Sequence, residues 1–394
     1  MSTRTEIARL LRRATFGPRA TDVDAAERVG IAATVEALLH PPAVDPGAAR
    51  TPAPVLDPGT ERKDKEAVRQ VVAWWLDRMA AAENSATEKL IFFWHGHWAT
   101  SVKKVGPALM LRQHGTLRAN AAGDFRALAR AMVTDPALLY WLDGQQNTKK
   151  APNENLAREL MELFTLGVGN FTEDDIKAGA RVLTGWKIDK NSGDVALLPN
   201  QHDASPVTIL GQTRAFTAES YVDLLVDQPA CGKHLADRVG QFYGATPSPG
   251  TDIRALLASA WTHLAEDHVK TPVDWFVGAC RQLGVRPSSL KGNPLAALGQ
   301  IPLAPPNVGG WATGAAWLTT SAAQARLQVA GMLAEAANLS ALEGLSPGQR
   351  PDYLARTLVV DAWSDRTRAA LAGVSGNPRR LVTVALSSPE YLIS

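Results

Sequence analysis

Cysteine is almost absent: the 394 residues contain two, Cys231 and Cys280. A zinc site built on thiolates needs several suitably spaced cysteines or a Cys/His set, so that class is excluded. The two thiols can pair only if the fold brings their Cα atoms within about 7 Å, which spacing alone does not decide. Long hydrophobic runs are also missing, and no stretch of about 18 apolar residues offers a membrane span. The segment Met1-Ser2-Thr3-Arg4-Thr5-Glu6-Ile7 has no apolar core of a secretory signal, so the chain as given reads as cytoplasmic. No excess of one charge exists. The 41 basic and 39 acidic residues give +2, and the dispersed cations argue for neither nucleic acid nor an anionic membrane. No glycine-rich phosphate loop follows a strand, and no Gly-x-Ser-x-Gly elbow occurs.

Alanine is abundant and β-branched clusters are few, which favours helix. The expected fold is mostly α: a large multi-helix orthogonal bundle forming one domain over 1–394. A possible subdivision runs 1–185, 186–212 and 213–394. Expected helices include Thr5–Thr15, Thr21–Val29, Ile31–Leu39, Arg62–Ala82, Leu109–Asn120, Asn153–Leu166 and Asp174–Thr184. Further on come Ala218–Asp227, Pro229–Tyr243, Ile253–Asp267, Pro272–Leu283, Ser321–Ala337 and Pro378–Leu386. Apolar spacings of three and four carry them, with Gly and Pro as punctuation. The segment 40–59, rich in Pro and Ala, reads as an extended crossover. Ser85 and Glu88 have the spacing of a capping box for the next helix. Near 186–212 the pattern changes to a small β-hairpin or long loop, with Asn191-Ser192-Gly193 as its turn. Gln300–Ala315 reads as a loop.

Candidate chemistry concentrates between Asn84 and Gly169, where three of the eight histidines lie. His95 and His97 flank Gly96 in an apolar run. On a regular helix, residues two apart point about 200° away from each other, so the two imidazoles are expected to do different jobs unless the helix breaks at Gly96. Glu154, Arg158 and Glu162 fall on one stripe, an ion-pair ladder at the least. Glu159 sits about 100° aside among Leu156, Leu160 and Leu163, and with Glu162 has the i, i+3 spacing that lets carboxylates share a cation. His114 and His202 complete the imidazole candidates. His40, His234, His263 and His268 read as structural.

Arg13-Ala14-Thr15-Phe16-Gly17-Pro18, Phe93-Trp94-His95-Gly96-His97-Trp98-Ala99-Thr100-Ser101 and Asp135-Pro136-Ala137-Leu138-Leu139 resemble the domain-of-unknown-function 1800 family. So do Ala151-Pro152-Asn153-Glu154-Asn155-Leu156-Ala157-Arg158-Glu159-Leu160, Glu162-Leu163-Phe164-Thr165-Leu166-Gly167 and Leu183-Thr184-Gly185-Trp186. The likeness continues through Pro305-Pro306-Asn307-Val308-Gly309-Gly310-Trp311 to Ser388-Pro389-Glu390-Tyr391, nearly the whole chain. It implies a bacterial, mostly helical protein. Family members are often exported and encoded beside a protein of the domain-of-unknown-function 1501 family, a possible partner. The recurring polar positions it implies here are His95, His97, His114, Asn153, Glu154, Arg158, Glu159, Glu162 and His202.

Three functional expectations follow. The first is a metal-dependent hydrolase or oxidoreductase. Zinc, manganese or iron would be held among His95, His97, His114, Glu159, Glu162 and His202, with Glu159, Arg158 and Glu154 as candidate catalytic groups. Trp94, Trp98, Trp186 and Trp311, with Asn153, would line the substrate cleft. The second is a non-catalytic helical scaffold or partner-binding protein, in which the same His, Glu and Arg residues form a buried network fixing helix register. A carbohydrate-binding protein built on the tryptophans is a third.

Overall fold

The computed structural model describes residues 3–57, 60–189, 191–265 and 267–394. Among the described residues about 60% are helical, in 23 α-helices and five short 3-10 or π segments, beside two small antiparallel two-stranded sheets. Helix starts are chemically marked. Thr3 and Glu6 form a reciprocal capping box on Arg4–Ala14, as Thr172 and Asp175 do on Glu173–Val182. Pro229–Tyr243, Pro272–Leu283 and Pro378–Leu386 each begin with proline in the first turn. Apolar side chains from Leu10 to Tyr391 pack into one contiguous core, and a satellite cluster forms around Ile7, Leu11 and Val23.

The segment 40–59 is extended apart from the short helix Pro46–Ala49, and Pro58 and Gly59 lie outside the described residues. The expected hairpin exists: Trp186–Ile188 pairs with Val195–Leu197, Ile188 lying opposite Val195. A second hairpin pairs Val207–Ile209 with Gln212–Arg214. It turns on Leu210 and Gly211, both at positive φ (48° and 78°), as a two-residue hairpin turn requires. Leucine seldom adopts that region, so the turn carries no sequence mark. The Leu210 amide donates to Asp175 Oδ1 at 2.7 Å, which holds the turn.

The capping box expected of Ser85 and Glu88 does not form. Asn84 is the cap and accepts from the Ala86 amide at 3.2 Å. Ser85 Oγ instead accepts from the Phe16 amide at 3.1 Å. Glu88 is buried, and its carboxylate accepts from Arg78 Nε at 2.9 Å, Arg118 Nη2 at 2.7 Å and Trp75 Nε1 at 3.3 Å. A buried carboxylate needs such partners, and they tie three helices together.

Candidate functional site

The helix Ser85–His97 stays regular through Gly96 and is buried along most of its length. His95 and His97 therefore leave it on different sides. His95 Nε2 accepts a hydrogen bond from the Leu303 amide at 3.0 Å. Its ring meets Trp75 and Trp311 edge-on, at centroid distances of 5.5 and 5.3 Å. Burial pushes the imidazole down to about 3, so it stays neutral. His97 Nε2 lies 2.9 Å from the Phe164 carbonyl oxygen. A carbonyl only accepts, so Nε2 carries the proton and Nδ1 holds a lone pair. That Nδ1 is buried and has no partner among the described residues. Burial, then the charge of Arg238, hold His97 well below the usual imidazole value.

The Phe164 carbonyl belongs to an irregular turn. The helix expected over Asn153–Leu166 is α only over Asn155–Glu159, and Leu160–Thr165 winds as a π-helix. The Leu166 amide reaches back to Met161 O at 2.8 Å, and Thr165 Oγ1 donates to Leu160 O at 2.6 Å. The two carbonyls between receive imidazoles: His97 bonds Phe164 O, and His234 Nε2 bonds Leu163 O at 2.8 Å. π turns are frequent at functional sites.

The π turn also rearranges the carboxylates. Arg158 pairs with Glu154 at 3.0 Å, as the stripe predicts, and with Glu173 at 2.7 Å on the following helix. Glu162 is not in the ladder. Glu159 is half-buried without an ion pair to a described residue, and burial, then the charge of Glu162, raises it. No histidine is among the causes of that shift. His114 lies elsewhere, edge-on to Trp74 and Trp75 at 4.9 and 4.7 Å, with Nε2 unpartnered. His202 Nδ1 lies 3.0 Å from the Thr184 carbonyl. Among the described residues no group of three or more His, Cys, Asp or Glu side chains is placed to hold a metal ion. The six residues expected to hold an ion are not gathered into such a group.

The tryptophans divide as well. Trp94 and Trp98 are fully buried, which removes them from any cleft. Trp94 Nε1 donates to Ala121 O at 2.8 Å, and Trp98 packs against Phe125 and Phe164. Trp186 is in the first hairpin, half-buried. Asn153 accepts from the Asn155 amide, and its own amide donates to Asn147 Oδ1, both at 2.9 Å. Trp311 alone joins His97 at a cavity, one of about 50 Å³. Its floor includes His97, Phe92, Phe93 and Gln300, and its mouth is at Gln241, Ala312 and Thr313. Arg238 lines the same cavity. Arg238 is half-buried, its Nε has no partner among the described residues, burial lowers its pKa, and it makes no ion pair with a described residue. Gly310, at φ 84°, lets the Trp311 loop touch the histidine helix backbone to backbone: a Cβ there would lie 2.5 Å from Gly96 O.

The sequence matches the family described as "Protein of unknown function (DUF1800)" over residues 9–264 and 250–393. The chain belongs to that family. No curated protein and no solved structure matches it. In this DUF1800 chain the residue that sequence reasoning missed is Arg238, on Pro229–Tyr243, while His234, one helical turn away and read as structural, bonds the Leu163 carbonyl. An arginine on a mixed helix face looks solvated in sequence, and nothing local marks it. Cys231 and Cys280 are both free and buried, and burial raises both thiols, Cys231 to about 12.

Proposed function

We propose that this chain is a helical binding protein that holds a small oxyanion bearing an O–H group in the His97–Arg238 cavity. One observation carries the reading: His97, whose Nδ1 has no partner among the described residues, and Arg238, which makes no ion pair with a described residue, line one aromatic-walled cavity. Arg238 supplies charge and forked N–H donors suited to a carboxylate or phosphate. His97 Nδ1 is an acceptor, and burial keeps it so, so the ligand must bring a donor. A 2-hydroxycarboxylate and hydrogen phosphate both combine a negative charge with an O–H. About 50 Å³ admits a few water-sized groups, which suits so small an anion. The helical scaffold reading joins this one naturally: the network through Glu88, His95 and the π turn fixes the walls.

The experiment is calorimetric titration with glycolate, hydrogen phosphate and acetate. Acetate lacks the O–H and should bind about tenfold more weakly than whichever of the other two fits, the worth of one buried hydrogen bond. Arg238→Gln should abolish binding while leaving thermal unfolding unchanged. Equal affinities for acetate and glycolate with no binding of hydrogen phosphate, or an Arg238→Gln variant that binds normally, would overturn the reading.

A further inference from the structure

A second cavity, sharing no residue with the first, runs beside the helix Lys65–Ala81. Its volume is about 760 Å³, within the roughly 300–1,000 Å³ of small-molecule sites. Its inner surface is apolar. Val68, Val72 and Leu76 follow one another at every fourth position along the helix, facing Phe276, Leu295 and Ile301. Val68, Val72 and Ile301 remain only half-buried, so this apolar strip is not covered by the chain itself.

The rim has one sign of charge. Lys65 and Arg69 come from the helix, Lys103 from a second segment and Lys291 from a third, and no described Asp or Glu lines the cavity. Arg69 is paired with the exposed Glu66. Lys65, Lys103 and Lys291 make no ion pair with a described residue. An apolar trough ringed by cations is complementary to a molecule with an apolar body and an anionic end. The volume is that of one small molecule.

We infer that this groove binds a long-chain fatty carboxylate. The acyl chain lies along the Val68–Val72–Leu76 strip, and the carboxylate stays at the rim among the ammonium groups of Lys65, Lys103 and Lys291. Methylenes leave water on binding, so affinity rises with chain length until the trough is full. The head group contributes a salt-sensitive attraction.

The test is a calorimetric series with octanoate, decanoate and dodecanoate, with dodecanol and dodecyl phosphate as controls. Affinity should rise about tenfold for every two methylenes added. The double variant Lys65→Glu/Lys291→Glu, confined to exposed positions, should weaken dodecanoate about tenfold and leave dodecanol unchanged. Val72→Asp should remove binding of both. Should Val72→Asp fail to fold, the rim variant and the length series still decide. Affinity independent of chain length, dodecanol binding as tightly as dodecanoate, a rim variant without effect, or dodecyl phosphate bound more tightly than dodecanoate would each overturn the assignment.

Discussion

His95 and His97 carry opposite tautomers. The Leu303 amide donates to Nε2 of His95, while Nε2 of His97 donates to the Phe164 carbonyl. Two imidazoles separated by a single glycine thus serve one as acceptor and one as donor, each neutral and each holding a different segment to the same helix.

That neutrality sets the acid response. His95 falls from its ordinary 6.5 to about 3 and His268 to about 4, with His97 and His114 also lowered, all chiefly by burial. For a group depressed on folding, the stabilisation is complete above the unfolded value and is lost as pH falls toward the folded one. Each fully buried imidazole should therefore remove about 2 kcal/mol between pH 7 and pH 5. Urea unfolding across that range should show a steep decline, shallower in His95→Gln, whose side-chain oxygen can still accept from Leu303. A flat profile would contradict it.

His97→Ala should destabilise the fold by about 3 kcal/mol, because the Phe164 carbonyl loses its donor and a buried ring becomes a void. His234→Ala, at a half-buried position, should cost about 1 kcal/mol. Denaturant midpoints measure both, and a reversed order would show that the π turn does not depend on His97.

Glu88→Gln leaves Arg78 and Arg118 beside a neutral amide. A loss of about 3–5 kcal/mol is expected from breaking a buried ion cluster. The ionic contact of Lys89 Nζ with Asp274 Oδ1, 2.8 Å apart and buried, gives a parallel case. Asp274→Ala should cost a similar amount, and Lys89→Met with Asp274→Leu together should recover most of it. Thermal unfolding of the three variants separates these outcomes.

Gly310→Ala places a methyl against Gly96 O and forces a positive φ on a side-chain-bearing residue. About 1–3 kcal/mol of destabilisation is expected. Displacement of Trp311 should weaken glycolate or hydrogen phosphate at the His97 cavity while fatty carboxylate binding persists. Paired titrations of one variant with both ligand classes measure this.

Much of the helical layout was legible, since proline at a helix start and apolar spacing are local signals. Pro229–Tyr243, Pro272–Leu283 and Pro378–Leu386 have the boundaries that sequence reasoning assigns. The different orientations of His95 and His97 were also legible, because helix geometry separates residues two apart. The role of Glu88 was not. Asn84 and Ser85 are adjacent and both able to cap, and only packing against Phe16 decides between them. The π turn was invisible because it displaces the period without changing composition, and with it went the expected place of Glu162. Arg238 and His97 come to one cavity from segments far apart in sequence, and a spacing argument does not reach across such distances.

The strip from Gln300 to Ala304 faces two ways. Gln300 lines the small cavity, Ile301 and Ala304 line the large groove, and the Leu303 amide is pinned on His95. Only a ligand that moves this strip on entering one site would change the free energy of filling the other, and the second ligand would then act back by the same factor. Were ligands to shift this strip, the affinity measured at either site would report on what the other contains.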